Sequence, residues 1–132
     1  MQLHSKLVCF LVLLGSLSPA YAADIYVISN SGVKIPDAQV ADVFTGDMQT
    51  ADGKKLVPVD NAALQGEFLS KVLGMSSDKY TSNWRKRAFR DGLNAPETKS
   101  SDAEVIGYVK STPGAVGYVE SAPAGVNVIK KY

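Results

Sequence analysis

SDAEVIGYVKSTPGAVGYVES, residues 101–121, decides the fold. Ser101 and Glu104 have the spacing of a capping box, in which a serine and a glutamate satisfy each other's backbone donors at a helix start. Val105, Ile106 and Val109 then share one helical face. Thr112-Pro113-Gly114 ends the helix, because proline cannot continue it and glycine accepts the turn. Ala115 to Glu120 comes at once as a strand. A capped helix delivering its chain straight into an apolar strand is the unit of a layered α/β fold.

Working outward, Ala122-Pro123-Ala124-Gly125 joins this strand to a last one, Val126 to Lys130. Upstream, Ser77 to about Arg90 reads as a helix with Tyr80, Trp84 and Ala88 on one face, and Asp91 to Pro96 as a loop. Before it lies a helix that Asp60 or Asn61 can cap, with Leu64, Phe68 and Val72 as its stripe, Leu69 and Leu73 flanking, and Gly74 as its C-cap. Leu56-Val57-Pro58-Val59 is a short strand in which Pro58 argues for an edge or terminal position. Asp52-Gly53 marks a turn. Pro36 opens a helix that buries Val40, Val43 and Phe44 and closes at Gly46. Asp24 to Asn30 is the first strand, ending in the turn Ser29-Asn30-Ser31-Gly32. The expected fold class is α/β, a small mixed β-sheet flanked by helices, without repeats or an internal linker.

The first 22 residues read differently. Lys6 precedes the apolar run Leu7 to Leu14, and Ala20-Tyr21-Ala22 forms a small-x-small cleavage pattern, the order of a secretory signal peptide. The alternative, a transmembrane anchor, needs roughly 20 apolar residues, more than this run supplies. The expectation is therefore a cleaved leader over residues 1–22, a single domain over 23–132, a periplasmic or secreted location, and no membrane insertion after cleavage. The only Cys (Cys9) and the only His (His4) lie in that leader. Residues 23–132 have no thiol nucleophile, disulfide or imidazole base, and lack the usual zinc ligands. An enzyme is the weakest reading, and no cofactor or metal is expected. The chain carries 14 Lys and Arg against 13 Asp and Glu, and removal of Lys6 balances them. No overall field then favours nucleic acid.

Three stretches together carry a family resemblance: IPDAQVADVFTG (35–46), KKLVPVDNAALQGEFLSKVLG (54–74) and SDAEVIGYVKSTPGAVGYVES (101–121). Pro113 to Val119 resembles the "PGAIGYV" segment of periplasmic phosphate-binding proteins of ABC transporters, and the helix ending Phe44-Thr45-Gly46 resembles their "IF-G" segment. Trp84 and Phe89 are similar to residues of a shorter group of exported relatives. The resemblance implies one lobe of a type II periplasmic binding protein, the substrate-binding component for phosphate uptake. Members of the family have two lobes and are roughly two to three times longer. Their Arg-x-Asp-Gly-Ser-Gly-Thr segment aligns with Pro58 to Leu64, where only the aspartate is kept, as Asp60. The resemblance thus implies the fold while leaving out three of the phosphate-holding side chains.

Candidate ligand residues are Ser29, Asn30 and Ser31 after the first strand, Asp60 and Asn61 before one helix, and Ser100 and Ser101 before another. The ligand expected there is a phosphate-like small anion held at helix N-termini. Each set also has a plain reading: turn residues for the first and helix caps for the others. Lys79, Lys86 and Arg90 fall near one another on the Ser77–Arg90 helix. They form a candidate docking patch for an acidic partner or an anion, or a solvated outer face, and a membrane transporter or sensor protein is the expected protein partner. The rival to solute binding is an accessory or sensory protein that docks on such a partner and binds no solute itself. Self-association supplying a second lobe would favour solute binding.

Overall fold

The computed structural model describes residues 24–132, so the expected leader lies outside the described residues. Strand β1 (Tyr26–Asn30) leads through a 3-10 turn at Asp37–Gln39 into α1 (Val40–Thr45). A hairpin comes next, β2 (Thr50–Ala51) and β3 (Lys54–Lys55), and then β4 (Val57–Asn61). Helix α2 begins at Gln65–Phe68 and continues as a π-helical turn over Leu69–Leu73. Helix α3 (Ser77–Asp91), β5 (Glu97–Lys99), α4 (Asp102–Ser111), β6 (Ala115–Val119) and β7 (Val126–Lys131) complete the order.

The sheet order is β5-β4-β6-β1-β7. β4 runs parallel to β5 and β6, whereas β1 runs antiparallel to β6 and β7. One reversed strand therefore lies among four that share a direction. The core forms on both faces. Val116 and Tyr118 of β6 pack with Phe44, Phe68, Tyr80 and Trp84 from α1, α2 and α3. Ala115 and Val119 pack with Val105 and Val109 of α4. All five residues of β6 are buried, which is why this strand is apolar without alternation. Gly117 sits at its centre because a Cβ there would stand 2.7 Å from Val105 Cγ1, holding α4 off the sheet. Gly114 has φ +82°, and a Cβ there would overlap the Lys55 carbonyl oxygen, so no other residue fits that turn.

Three local expectations need correction, and Pro58 is not among them: it is the second residue of β4, and the Val57 N–H donates to the Gly114 carbonyl, so the Pro58 nitrogen faces the β5 side. β5 pairs only with Val59 to Asn61, and no donor is needed where Pro58 stands. The helix expected from Asp60 or Asn61 starts at Gln65, and its π turn adds a residue per turn, which buries Leu69 and leaves Val72 and Leu73 half-buried. Ala88 is exposed, so the buried face of α3 is Tyr80 and Trp84. β5 and the β2–β3 hairpin are strands where the sequence predicts none, although the turn between β2 and β3 is the expected Asp52-Gly53.

Segment 101–121 folds as its sequence predicts. Ser101 Oγ accepts from Glu104 N–H at 3.3 Å, while the Glu104 carboxylate reaches Ser100 N–H at 3.2 Å, one residue earlier than the standard box. α4 ends before Thr112 and turns through Gly114 into β6.

Candidate functional site

The strand directions divide the seven expected ligand residues into two groups. On β1, Tyr26 lies opposite Val119 and Ser29 opposite Val116, so Ser29–Ser31 emerge where β6 and β4 begin. Asp60, Asn61, Ser100 and Ser101 gather where β4 and β5 end. The sets are separated by roughly 10 Å of strand, at about 3.3 Å per residue, and do not share one cleft.

At the β1 end the polar groups hold backbone. Ser29 Oγ donates to the Val33 carbonyl at 3.2 Å. Asn30 Nδ2 donates to the Val109 carbonyl at 2.9 Å, and its Oδ1 accepts from Gly32 N–H at 2.9 Å. Asn127 Nδ2 donates to the Val33 carbonyl at 2.8 Å and spans toward the carbonyls of Asn30 and Ser31. These bonds tie the turn after β1 to α4 and β7.

At the β4 end the expected cap is something else. Asp60 is only 2 % exposed and is no helix cap. Its carboxylate accepts from the Tyr118 hydroxyl at 2.7 Å and the Tyr80 hydroxyl at 2.9 Å, with Gln65 as a third partner. Burial pushes the Asp60 carboxyl above the usual carboxylate range, and the three hydrogen bonds work against that rise. Both phenols are pushed well above their ordinary range, first by burial and then by the Asp60 charge, which keeps them protonated as donors. The Tyr118 ring stacks on Phe68 with centroids 3.8 Å apart and meets Phe44 edge-on. Asp60 thereby joins β4, β6, α2 and α3 through one buried group. Asn61 does similar work beside it. Its Nδ2 donates to Asp102 Oδ1 at 2.8 Å and to the Tyr118 carbonyl at 2.9 Å, while Oδ1 accepts from Ala63 N–H. Asp102 Oδ2 accepts from Glu120 N–H at 2.9 Å. Asn61, Ser100, Ser101 and Asp102 thus lock the ends of β4 and β6 to the start of α4.

Beside Asp60 opens a cleft of about 340 Å³, lined by Gln65, Tyr80, Thr81, Trp84, Arg85 and Thr98. It lies between α3 and the paired residues Asp60 of β4 and Thr98 of β5. Thr81 and Arg85 are one helical turn apart on α3, so they face the cleft together. Arg87 pairs with Asp47 and Asp91, and Arg90 with Asp91. Among the described residues, Arg85 is the arginine without an ion-pair partner. Gln65 opens α2, whose first turn has no side-chain cap. The cleft therefore presents one cation, two hydroxyls and a helix start, with its single carboxylate already engaged.

Gln65, Thr81 and Thr98 carry no sequence signal that singles them out, and Arg85 is submerged in the run Arg85-Lys86-Arg87. The i,i+4 relation of Thr81 and Arg85 is the one feature that the sequence displays. Lys79, Lys86 and Arg90 are exposed on α3, with Phe89 beside them at 94 % exposure. Among the described residues no three His, Cys, Asp or Glu side chains gather as metal ligands, and no helix is long and apolar enough to cross a membrane.

No family model and no curated protein matches the chain. Solved structures do. A phosphate ABC transporter substrate-binding protein with bound phosphate from Clostridium perfringens superposes with TM-score 0.60 at 15% identity, covering 82% of this chain and 45% of that one. An ABC-type phosphate transport receptor from Vibrio cholerae gives TM-score 0.50 at 12% identity, covering 82% and 46%. The chain has the fold of these binding proteins and spans less than half of their length. Such neighbours are binding proteins and not enzymes.

Proposed function

We propose that the chain is an exported, non-enzymatic solute-binding module that takes phosphate or another small oxyanion in the cleft beside Asp60, and that it serves a membrane transporter. The observation that carries this reading is Arg85: an arginine without a carboxylate partner among the described residues, facing a cleft with Thr81, Thr98 and the uncapped start of α2. An oxyanion supplies the acceptors that this donor set lacks, and hydrogen bonds to a charged partner are the strong ones. Support comes from the fold likeness to a substrate-binding protein with bound phosphate. On this reading Asp60 acts indirectly, holding Gln65 and Tyr80 in place, and Asn61, Ser100 and Ser101 shape the neighbouring corner. Ser29, Asn30 and Ser31 stand outside the site.

The test is calorimetric titration with phosphate, with sulfate as comparator, on the wild type and on Arg85→Ala. The expected result is saturable phosphate binding that Arg85→Ala weakens by roughly ten-fold to a hundred-fold, the range of a hydrogen bond to a charged group. Absence of heat at millimolar phosphate, or equal affinity in the variant, would contradict the proposal.

A further inference from the structure

A second cavity, of about 530 Å³, shares Trp84, Ala95 and Pro96 with the cleft but is otherwise built from different elements. Val43, Met48, Leu56, Trp84, Leu93 and Tyr108 give it apolar and aromatic walls. Its volume falls within the roughly 300–1,000 Å³ of small-molecule sites, which are mostly apolar with a few polar groups that fix orientation. The fold creates it at the start of β4, where β5 has not yet begun and the strand's outer side is left open beside Val57 and Pro58. The Trp84 indole N–H already donates to the Phe44 carbonyl at 3.0 Å, so its ring meets the cavity as an apolar surface.

Two charged residues line the cavity, Lys55 and Glu97. Glu97 is neutralised by Lys99 at 3.0 Å. Lys55 has no ion-pair partner among the described residues, which leaves one uncompensated positive charge against an apolar space. The geometry points to a second binding site here, for a small molecule with an apolar body and one carboxylate. The body fills the space between Leu56, Met48 and Trp84, removing apolar surface from water, and the carboxylate meets the Lys55 ammonium. This site does not depend on oxyanion binding in the cleft beside Asp60.

Trp84 is the only tryptophan in the chain, so its fluorescence reports on the cavity without a label. The experiment titrates the chain with decanoate below its micelle concentration, with decylamine as the comparator of opposite charge. The expected result is a saturable change in Trp84 emission with decanoate. Lys55→Ala and Lys55→Gln weaken it by about five-fold, the scale of an ion pair near a surface, and Arg85→Ala leaves it unchanged. No saturable response to decanoate would overturn the inference. So would an equal response to decylamine, or loss of the decanoate response in Arg85→Ala, which would place the ligand in the other cleft.

Discussion

The two ends of the sheet contrast sharply in how they use polar residues. At the β1 end, Ser29, Asn30 and Asn127 give their side chains to backbone carbonyls of the turn after β1 and of α4. At the β4 end, Asp60 and Asn61 are equally committed, but Asp60 lies beside a second set, Thr81, Arg85 and Thr98, that has no such commitments. The difference comes from direction. β4 and β5 are parallel, and α3, which connects them, packs over the Asp60–Thr98 pair and leaves a cleft between helix and sheet. β1 ends alone among strands that begin, and its turn is simply tied down. A polar cluster in a sequence therefore carries no functional weight until the strand directions are known.

The strongest break of this contrast is Asp60→Ala. It strands two buried tyrosine hydroxyls, and stability should fall by about 2–4 kcal/mol, read by urea denaturation; a loss below about 1 kcal/mol would contradict the role given to Asp60. The same carboxyl gives a pH signature. Its folded pKa is raised above the unfolded value, so the folded state holds the Asp60 proton more tightly. The group's contribution is fully present below the unfolded value and is lost as pH rises through the folded one. Asp60→Asn should flatten that part of the stability–pH curve, and an unchanged slope would assign it to another group.

At the other end, Asn30→Ala removes the bonds to Val109 and Gly32. It should cost about 1–2 kcal/mol while phosphate affinity stays at the wild-type value. A loss of affinity without a loss of stability would reverse the assignment of the two ends. The smallest effect is expected at Ser101→Ala, about 1 kcal/mol from the lost cap, measurable as a drop in Tm.

Much of this architecture is legible in the sequence. The capping pair Ser101 and Glu104, the stop at Pro113-Gly114 and the fully apolar β6 place helix, turn and central strand from local chemistry alone. β5 is not legible, because Glu97-Thr98-Lys99 has no apolar residue and is a strand only through pairing with Val59 to Asn61. Asp60 before Asn61 has the look of a cap, since nothing local announces that Tyr80 and Tyr118 will bring hydroxyls to it from twenty and fifty-eight residues away. The cleft is hidden for the same reason. Thr98 belongs to the illegible strand, and Arg85 stands out from Arg87 and Arg90 only once their partners Asp47 and Asp91 are in place.

The most direct test of the central claim, that ligand binding belongs to the β4 end, is to follow backbone amide resonances by NMR during a phosphate titration. Binding in the cleft beside Asp60 predicts saturable shifts at Gln65, Thr81, Arg85 and Thr98, with Ser29, Asn30 and Ser31 unmoved. Shifts confined to Ser29–Ser31, or no saturable shifts at any of these residues, would contradict it.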